Sequence, residues 1–282
     1  MSTIVQGTLP APDIIETLDF ETLYTRRKVR LVSLYPVEEQ AAIAQTLELE
    51  SEPIVKLLQE SAYEELLLRQ RINEAARANL IQFAVGADLD QLAAFYELIR
   101  LAGEGDERFR LRLQLAIAAL AGNGTAEFYR GRTLGASLAV VDAAVLQPYP
   151  GAVNVAVWVA DGADEAVVLD LVQATLTDPA RKILGVAVTA TVARRRIVDV
   201  NARIRRTQSA PVDLAARLAA EFAAVFAAAA AFGGTIPRSW LIAKLHIEGV
   251  AAVELLAPSA DIVLAADEYP SAGQIAIADE GL

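Results

Sequence analysis

His246 is the only histidine in this 282-residue chain, and there is no cysteine. Histidine titrates near neutrality and is the commonest metal ligand. A Ser-His-Asp array or a zinc site would therefore have to be built on this one imidazole, with every other member drawn from elsewhere. His246 sits in "IAKLHIEG", within a short predicted helix and near Glu248, where a packed or surface histidine is the commoner finding. The lack of cysteine removes disulfides, thiolate ligands and cysteine nucleophiles together. Paired carboxylates come next, as general acids and bases. Asp88 with Asp90 and Asp164 with Glu165 fall at helix starts, where negative charge complements the helix dipole. Capping explains them. The alternative is a soluble carboxylate-dependent hydrolase, which requires a pocket where acidic side chains converge and a pKa is displaced.

Neither glycine-rich segment has the makings of a phosphate cradle. "GNGT" at 122–125 lacks the lysine of a P-loop, and "GEGDE" at 103–107 is acidic where phosphate would sit. The densest charge is "ARRRIVDVNARIRR", which holds Arg194, Arg195, Arg196, Arg203, Arg205 and Arg206. Read as a strand, it sends Val198, Val200, Ala202 and Ile204 to one face and Arg195, Asp199, Asn201, Arg203 and Arg205 to the other. Such a stripe suits an acidic patch on a neighbouring subunit or a solvated sheet face. Nucleic acid is disfavoured, because no aromatics are interleaved for stacking and the formal charge of the whole chain is −11.

The elements that position these groups follow from pattern. With 54% apolar residues the chain has material for a core, and its length suits several compact modules. The start, "MSTIVQGTLPAPDIIETLDFETL", lacks the basic and then apolar regions of a signal peptide, so synthesis without export is expected. The longest apolar run, "FAAVFAAAAAFGG" at 222–234, is too short to span a bilayer, and no membrane partner is expected. Helices are predicted from Asp19 to about Ser33, over 37–50, from a Ser51 cap with Pro53 in the first turn as far as Gly86, over 87–98 with Asp88 as cap, and over 106–120. After the Gly122–Gly124 break come a short helix ending at Gly135, strands over 138–146 and 151–160, a helix over 164–176 with Leu169, Val172 and Leu176 on one side, and a strand over 185–193. A strand, a long alanine-rich helix, a shorter helix and a strand repeat the pattern. The expected fold class is α+β, with a helical region over 1–121, α+β modules over 122–196 and 197–265, and a loose tail over 266–282 carrying one short strand signal, "QIAIA". A strand at the join of the modules suits either one.

The predicted helix over 53–83 is unusual. At 100° per residue a broad apolar arc holds Ile54, Leu57, Leu58, Ala62, Leu68, Ile72, Ala75, Ala76 and Leu80, the side expected to face the chain's own helices. Tyr63, Leu66, Leu67 and Ile81 lie outside that arc, so a second side is apolar too. Glu65 and Arg69, one turn apart at its border, form either a device that fixes register between helices or a solvated pair. Lys56, Glu60, Arg71, Glu74 and Arg77 make the polar rim. A helix of this kind is sandwiched, and Tyr63, Glu65, Leu66, Leu67, Arg69 and Ile81, with Arg195, Arg203 and Arg205 of the stripe, are the candidate partner-interface residues.

"LPAPDIIETLDFETL", "LVSLYP", "LELESEPIVKLLQESAYEELLLRQRINEAARANL" and "GADLDQLA" resemble, in order, the amino-terminal half of the baseplate J family of P2-like phages and R-type tailocins. "IVDVNARI" and "AKLHIEGVAAVELLAPSADIVL" carry a looser match, and between about 97 and 190 only the organisation is similar. The resemblance implies a non-enzymatic structural subunit of a baseplate wedge, without cofactors or metals. It implies two copies joined to a different wedge subunit around a helical bundle, six wedges in a ring around the tail hub, and contact between neighbours through the α+β modules. It also implies a link to the sheath-initiating proteins through which the ring releases contraction, assembly in the bacterial cytoplasm, and residence in a phage or tailocin tail.

Overall fold

The computed structural model describes residues 12–120 and 122–281. It has an α+β architecture, helical at the amino-terminal end, and its chain divides into two compact units, Met1–Arg100 with Gly105–Arg110 and Leu101–Glu104 with Leu111–Leu282.

In the first unit, helix α1 (Phe20–Ser33) starts at Asp19, whose carboxylate accepts from the Thr22 amide at 2.7 Å and so satisfies one open donor of the first turn. Those Thr22 hydrogen bonds also hold the Asp19 pKa below the ordinary carboxylate value. Helix α2 (Val37–Thr46) stops short of the expected 50. Helix α3 (Pro53–Ala78) has Glu52, not Ser51, at its N-cap, with Pro53 supplying a preset φ at the first position. It also ends earlier than expected. Asn79 turns its side chain back onto the Ala75 carbonyl at 2.8 Å, and residues 80–84 form turns leading to α4 (Gly86–Ala94). Val85, not Asp88, is the N-cap of α4; Asp88 lies within its first turn. Helix α5 (Asp106–Ala119) follows, its first five residues belonging to this unit and the rest to the second. Arg110 ties the turn region down by donating to the carbonyls of Ile81 (2.8 Å) and Ala84 (2.7 Å), while Arg100 pairs with Asp90 and Asp106, each at 2.7 Å.

The second unit holds two small sheets. After α6 (Ala126–Leu134), capped by Thr125, strand β1 (Val140–Leu146) pairs antiparallel with β2 (Ala152–Val159). Helix α7 (Glu165–Leu176), with Asp164 as N-cap, crosses over to β3 (Ala187–Val192), which lies parallel to β2. Val155 and Val157 pack with Tyr129, Leu134, Val168, Val172 and Leu176 in one core. Val168 is buried where Leu169 was expected, and Leu169 packs at the edge of that core.

Strand β4 (Arg194–Arg206) is the centre of the second sheet, followed by α8 (Leu214–Ala228), a short β5 (Gly234–Ile236), α9 (Arg238–Leu245), β6 (Val250–Ala257), β7 (Ile262–Leu264) and β8 (Glu268–Asp279). The sheet order is β6-β4-β8, antiparallel to β6 and parallel to β8, and β5 pairs with β7. Leu214, Leu218, Phe222, Phe226, Leu241 and Leu245 cover the face formed by Val198, Val200, Ala202 and Ile204. The expectation of a loose tail is corrected here. Twelve residues form β8, whose Ile275 and Ile277 pack on that core, so the second sheet is completed by the end of the chain.

Candidate partner interface

Helix α3 exposes large apolar side chains on two sides. Leu57 and Leu68 are 65% exposed, Ile72 58%, Tyr63 53% and Leu67 43%. Val55, Ala62 and Asn73 are its buried residues. This corrects the expected inward arc, since three of its largest members face outward and the small Ala62 faces inward. Ile81 lies in the turns after α3 rather than on it, half-buried, and Leu66 is half-buried on the helix.

Glu65 and Arg69 are occupied within the chain. Glu65 accepts from Arg27 of α1 at 2.7 Å and from Arg69 at 2.9 Å, and is also paired with Arg26. Arg27 donates further to Ser61 at 2.6 Å, and Arg69 reaches Glu16 at 2.6 Å. The Asn73 side chain accepts from the Glu16 amide at 3.0 Å and donates to its carbonyl at 2.8 Å, so a buried amide is satisfied at both ends. Hydrogen bonding from Arg69, followed by that from Arg27 and Arg26, lowers the Glu65 pKa to about 2 against the opposing effect of burial. The network fixes how α1 and the Glu16 segment lie on α3, leaving its outward apolar sides free of polar obligations.

The arginine stripe has the predicted alternation: Val198, Val200, Ala202 and Ile204 are buried, and Arg195, Asp199, Asn201, Arg203 and Arg205 are exposed. Its charge, however, is largely met from within. Arg194 pairs with Asp267 at 2.8 Å, Arg195 with Asp161 at 3.2 Å, Arg203 with Glu280 at 3.3 Å, and Arg206 with Asp279. Hydrogen bonding to Asp267 raises the Arg194 pKa, and the same contact lowers that of Asp267. Arg196 and Arg205 have no ion pair or side-chain hydrogen bond among the described residues and are the stripe's open cations, Arg205 on the same face as Arg195 and Arg203. The counter-charges of Asp267, Asp279 and Glu280, in and beside β8, were missed by sequence reasoning because that segment was taken as tail.

A contact between the modules was missed as well. Trp158 of β2 stacks on Tyr269 of β8 with centroids 4.1 Å apart, and Phe232 meets both rings edge-on. Ala156 and Ala193 complete this small core.

His246 is exposed at the C-cap of α9, just beyond its expected helix. Asp164 caps α7 through the amides of Ala166 and Val167, at 3.0 and 3.3 Å. Among the described residues no group of three or more His, Asp or Glu is placed to hold a metal. A hollow of about 230 Å³ by α8 and α9 is lined by apolar side chains such as Phe226, Ile236, Trp240 and Leu264 with Thr235. A larger one of about 540 Å³ at the end of α3 has Glu74 and Asp88 alongside Arg71 and Arg77, and Glu74 is engaged by Gln70 and Arg71.

Residues 50–104 match a family model described as the baseplate J-like N-terminal domain, and residues 198–278 match one described as the baseplate J-like protein C-terminal domain. Over 286 aligned residues the chain is 39% identical to baseplate protein J of Escherichia phage P2, covering 94% of this chain and 93% of that protein.

Proposed function

The chain belongs to the baseplate J family, and on that premise we propose that it is a wedge subunit of a contractile phage-like tail, a structural baseplate protein whose work is assembly. Its location is then the tail baseplate of a phage or tailocin particle, put together in the bacterial cytoplasm. Two copies join a different wedge subunit through a helical bundle, six such wedges ring the tail hub, and contacts with sheath-initiating proteins couple rearrangement of the ring to sheath contraction.

The observation that carries this reading is the outward apolar surface of α3. Leu57, Leu68 and Ile72 on one side and Tyr63 and Leu67 on another are each more than two-fifths exposed on a single helix. Burying a leucine or isoleucine is favourable by roughly 1.5–3 kcal/mol, so a helix bearing four such side chains and a tyrosine in water gains substantially from a covering partner. Monomers rarely leave contiguous apolar surface of this kind open. The Glu65 network supports the same role, because it orients α1 on α3 through ion pairs closed within the chain.

Co-expression with the adjacent wedge subunit, followed by mass measurement in solution, tests the proposal. A stable species of two copies of this chain with one partner is the expected result. A well-behaved monomer that ignores the partner overturns it.

A further inference from the structure

The two three-stranded sheets end in edges that are treated very differently. On β3, the amides of Ala187 and Ala193 donate toward β2, each at 2.9 Å. Alternation along the strand therefore turns the backbone groups of Val188 and Ala190 outward. Gln173 of α7 meets both: its Nε2 donates to the Val188 carbonyl at 3.0 Å and its Oε1 accepts from the Ala190 amide at 2.8 Å. Those are the two bonds that one residue of an added parallel strand would make, so the glutamine occupies the place of a fourth strand. Arg238 of α9 guards β6 in a related way, donating to the Leu255 carbonyl at 2.7 Å and to that of Ser259 at 3.0 Å.

Strand β8 has no such guard over most of its length. The bonds from Arg194 to Asp267 (2.9 Å) and from Glu280 to Ile204 (3.0 Å) fix which of its residues face β4. With Val200 opposite Ile275 and Ala202 opposite Ile277, the backbone groups of Ala272, Ile275 and Ile277 point away from the sheet. Among the described residues no hydrogen bond from another element reaches them. From Ile275 to Ala278, beyond the register slip at Gly273, the strand carries no charged residue and no proline, two of the devices by which exposed edges are ordinarily blunted. Asp279, the next charge, is engaged by Arg206. On the open face of the sheet this stretch presents the small Ala276 and Ala278.

We infer that the β8 edge is a strand-pairing surface for β8 of a second copy of this chain, antiparallel about a two-fold axis, fusing two three-stranded sheets into one of six strands. A row of open backbone donors and acceptors is satisfied by extended backbone. An uncharged edge offers nothing that selects a charged partner, whereas the same edge on a second copy repeats the spacing of donors and acceptors, and a two-fold axis makes it self-complementary. The inference rests on the reading of the chain as a subunit present in several copies, and deepens it by naming where two copies meet.

Because the chain has no cysteine, Ala276→Cys and Ala278→Cys each introduce a single thiol, and Ala174→Cys on the exposed surface of α7 serves as control. Mild oxidation of the full chain is expected to give a disulfide-linked dimer for one of the single β8 variants where the axis passes through that position, or for the variant carrying both Ala276→Cys and Ala278→Cys where it passes through Ile277, and not for the control. Ile277→Pro removes an outward amide without taking a donor from the β4 ladder, and sedimentation velocity is expected to show self-association weakened at least tenfold. If that variant loses its circular-dichroism spectrum, the cross-link decides alone. Absence of a β8-specific cross-link overturns the pairing, even where the chain still binds its wedge partner on co-expression; loss of that partner binding is the separate result that would sink the wedge reading.

Discussion

A Cβ atom built on Gly273 would collide with the Asp199 carboxylate and stand 2.7 Å from an Ile197 methyl. Asp199 occupies the space because it accepts from the Gln274 amide at 2.8 Å, filling the gap where the β4–β8 register slips. Gly273→Ala must push that carboxylate aside and strand the amide. A loss of about 1–3 kcal/mol is expected, read as a lower urea midpoint. In an Asp199→Ala background the same substitution costs less, because part of the collision is gone. A double-mutant cycle measures the coupling.

Glu65 gives the stability of the helical unit a definite pH dependence. Its pKa falls from the ordinary 4.5 to about 2 in the folded chain, so the unfolded state binds the proton more tightly. The contribution is fully present above the unfolded value and is lost as pH falls from about 4.5 through about 2. Glu65→Gln is expected to cost about 1 kcal/mol at pH 7, the scale of a partly screened network. The gap in urea midpoint between the variant and the parent should close across that acid window. A gap that stays constant down to pH 2 contradicts the assignment.

Local signals carried most of the helix starts and the alternation of β4. Asp19 and Asp164 cap as expected because an aspartate needs only amides two or three residues ahead. What escaped depended on partners far along the chain. Leu80 and Ile81 continue the apolar period of α3, yet the helix ends at Ala78, and Arg110, 29 residues beyond Ile81, takes up a carbonyl in the turns that follow. The strand character of the last segment was hidden by Gly273, which breaks the period beside a carboxylate 75 residues before Gln274. The facing of α3 was misjudged because an apolar arc is weighted by large side chains, whereas the side that packs inward carries Val55, Ala62 and Asn73, and α1 is held to the helix through Ser61 and Glu65. The candidate interface was legible as a helix with apolar residues on two sides; which residues point outward was not.

The contact between the α+β modules concentrates on Trp158 and Tyr269. Tyr269 is buried, and burial raises its phenol pKa. Tyr269→Ala removes the stack on Trp158 and the edge contact with Phe232, at an expected cost of about 2–4 kcal/mol. Trp158 emission should shift to the red as its ring meets water. Trp240, packed against Phe226 elsewhere, supplies the unshifted background. Tyr269→Phe keeps the ring and should leave both readouts near the parent values.

Arg203 and Arg205 share a sheet face but differ in what a charge reversal removes. Arg203→Glu breaks the pair with Glu280 and sets two carboxylates side by side, lowering stability by up to about 1 kcal/mol. Arg205→Glu breaks no bond within the described chain. If an acidic neighbour docks on this stripe, Arg205→Glu weakens association between wedges, in a salt-dependent manner, while leaving the melting curve unchanged. Unchanged assembly of the Arg205→Glu subunit removes the stripe from the interface.

The outward side of α3 separates folding from assembly most sharply. Leu68 and Ile72 are more than half exposed, so Leu68→Glu and Ile72→Glu each change the stability of the isolated chain by no more than about 0.5 kcal/mol. In a complex that covers them, either carboxylate is buried without a partner, which costs several kcal/mol, and co-purification of the wedge partner should fall at least tenfold. Ala62→Glu is the contrast: Ala62 is 0% exposed, and a charge there should unfold the helical unit before any partner is met. Retained binding by both Leu68→Glu and Ile72→Glu would place the partner on another surface, because no bundle packed on this side of α3 accommodates a carboxylate at either position.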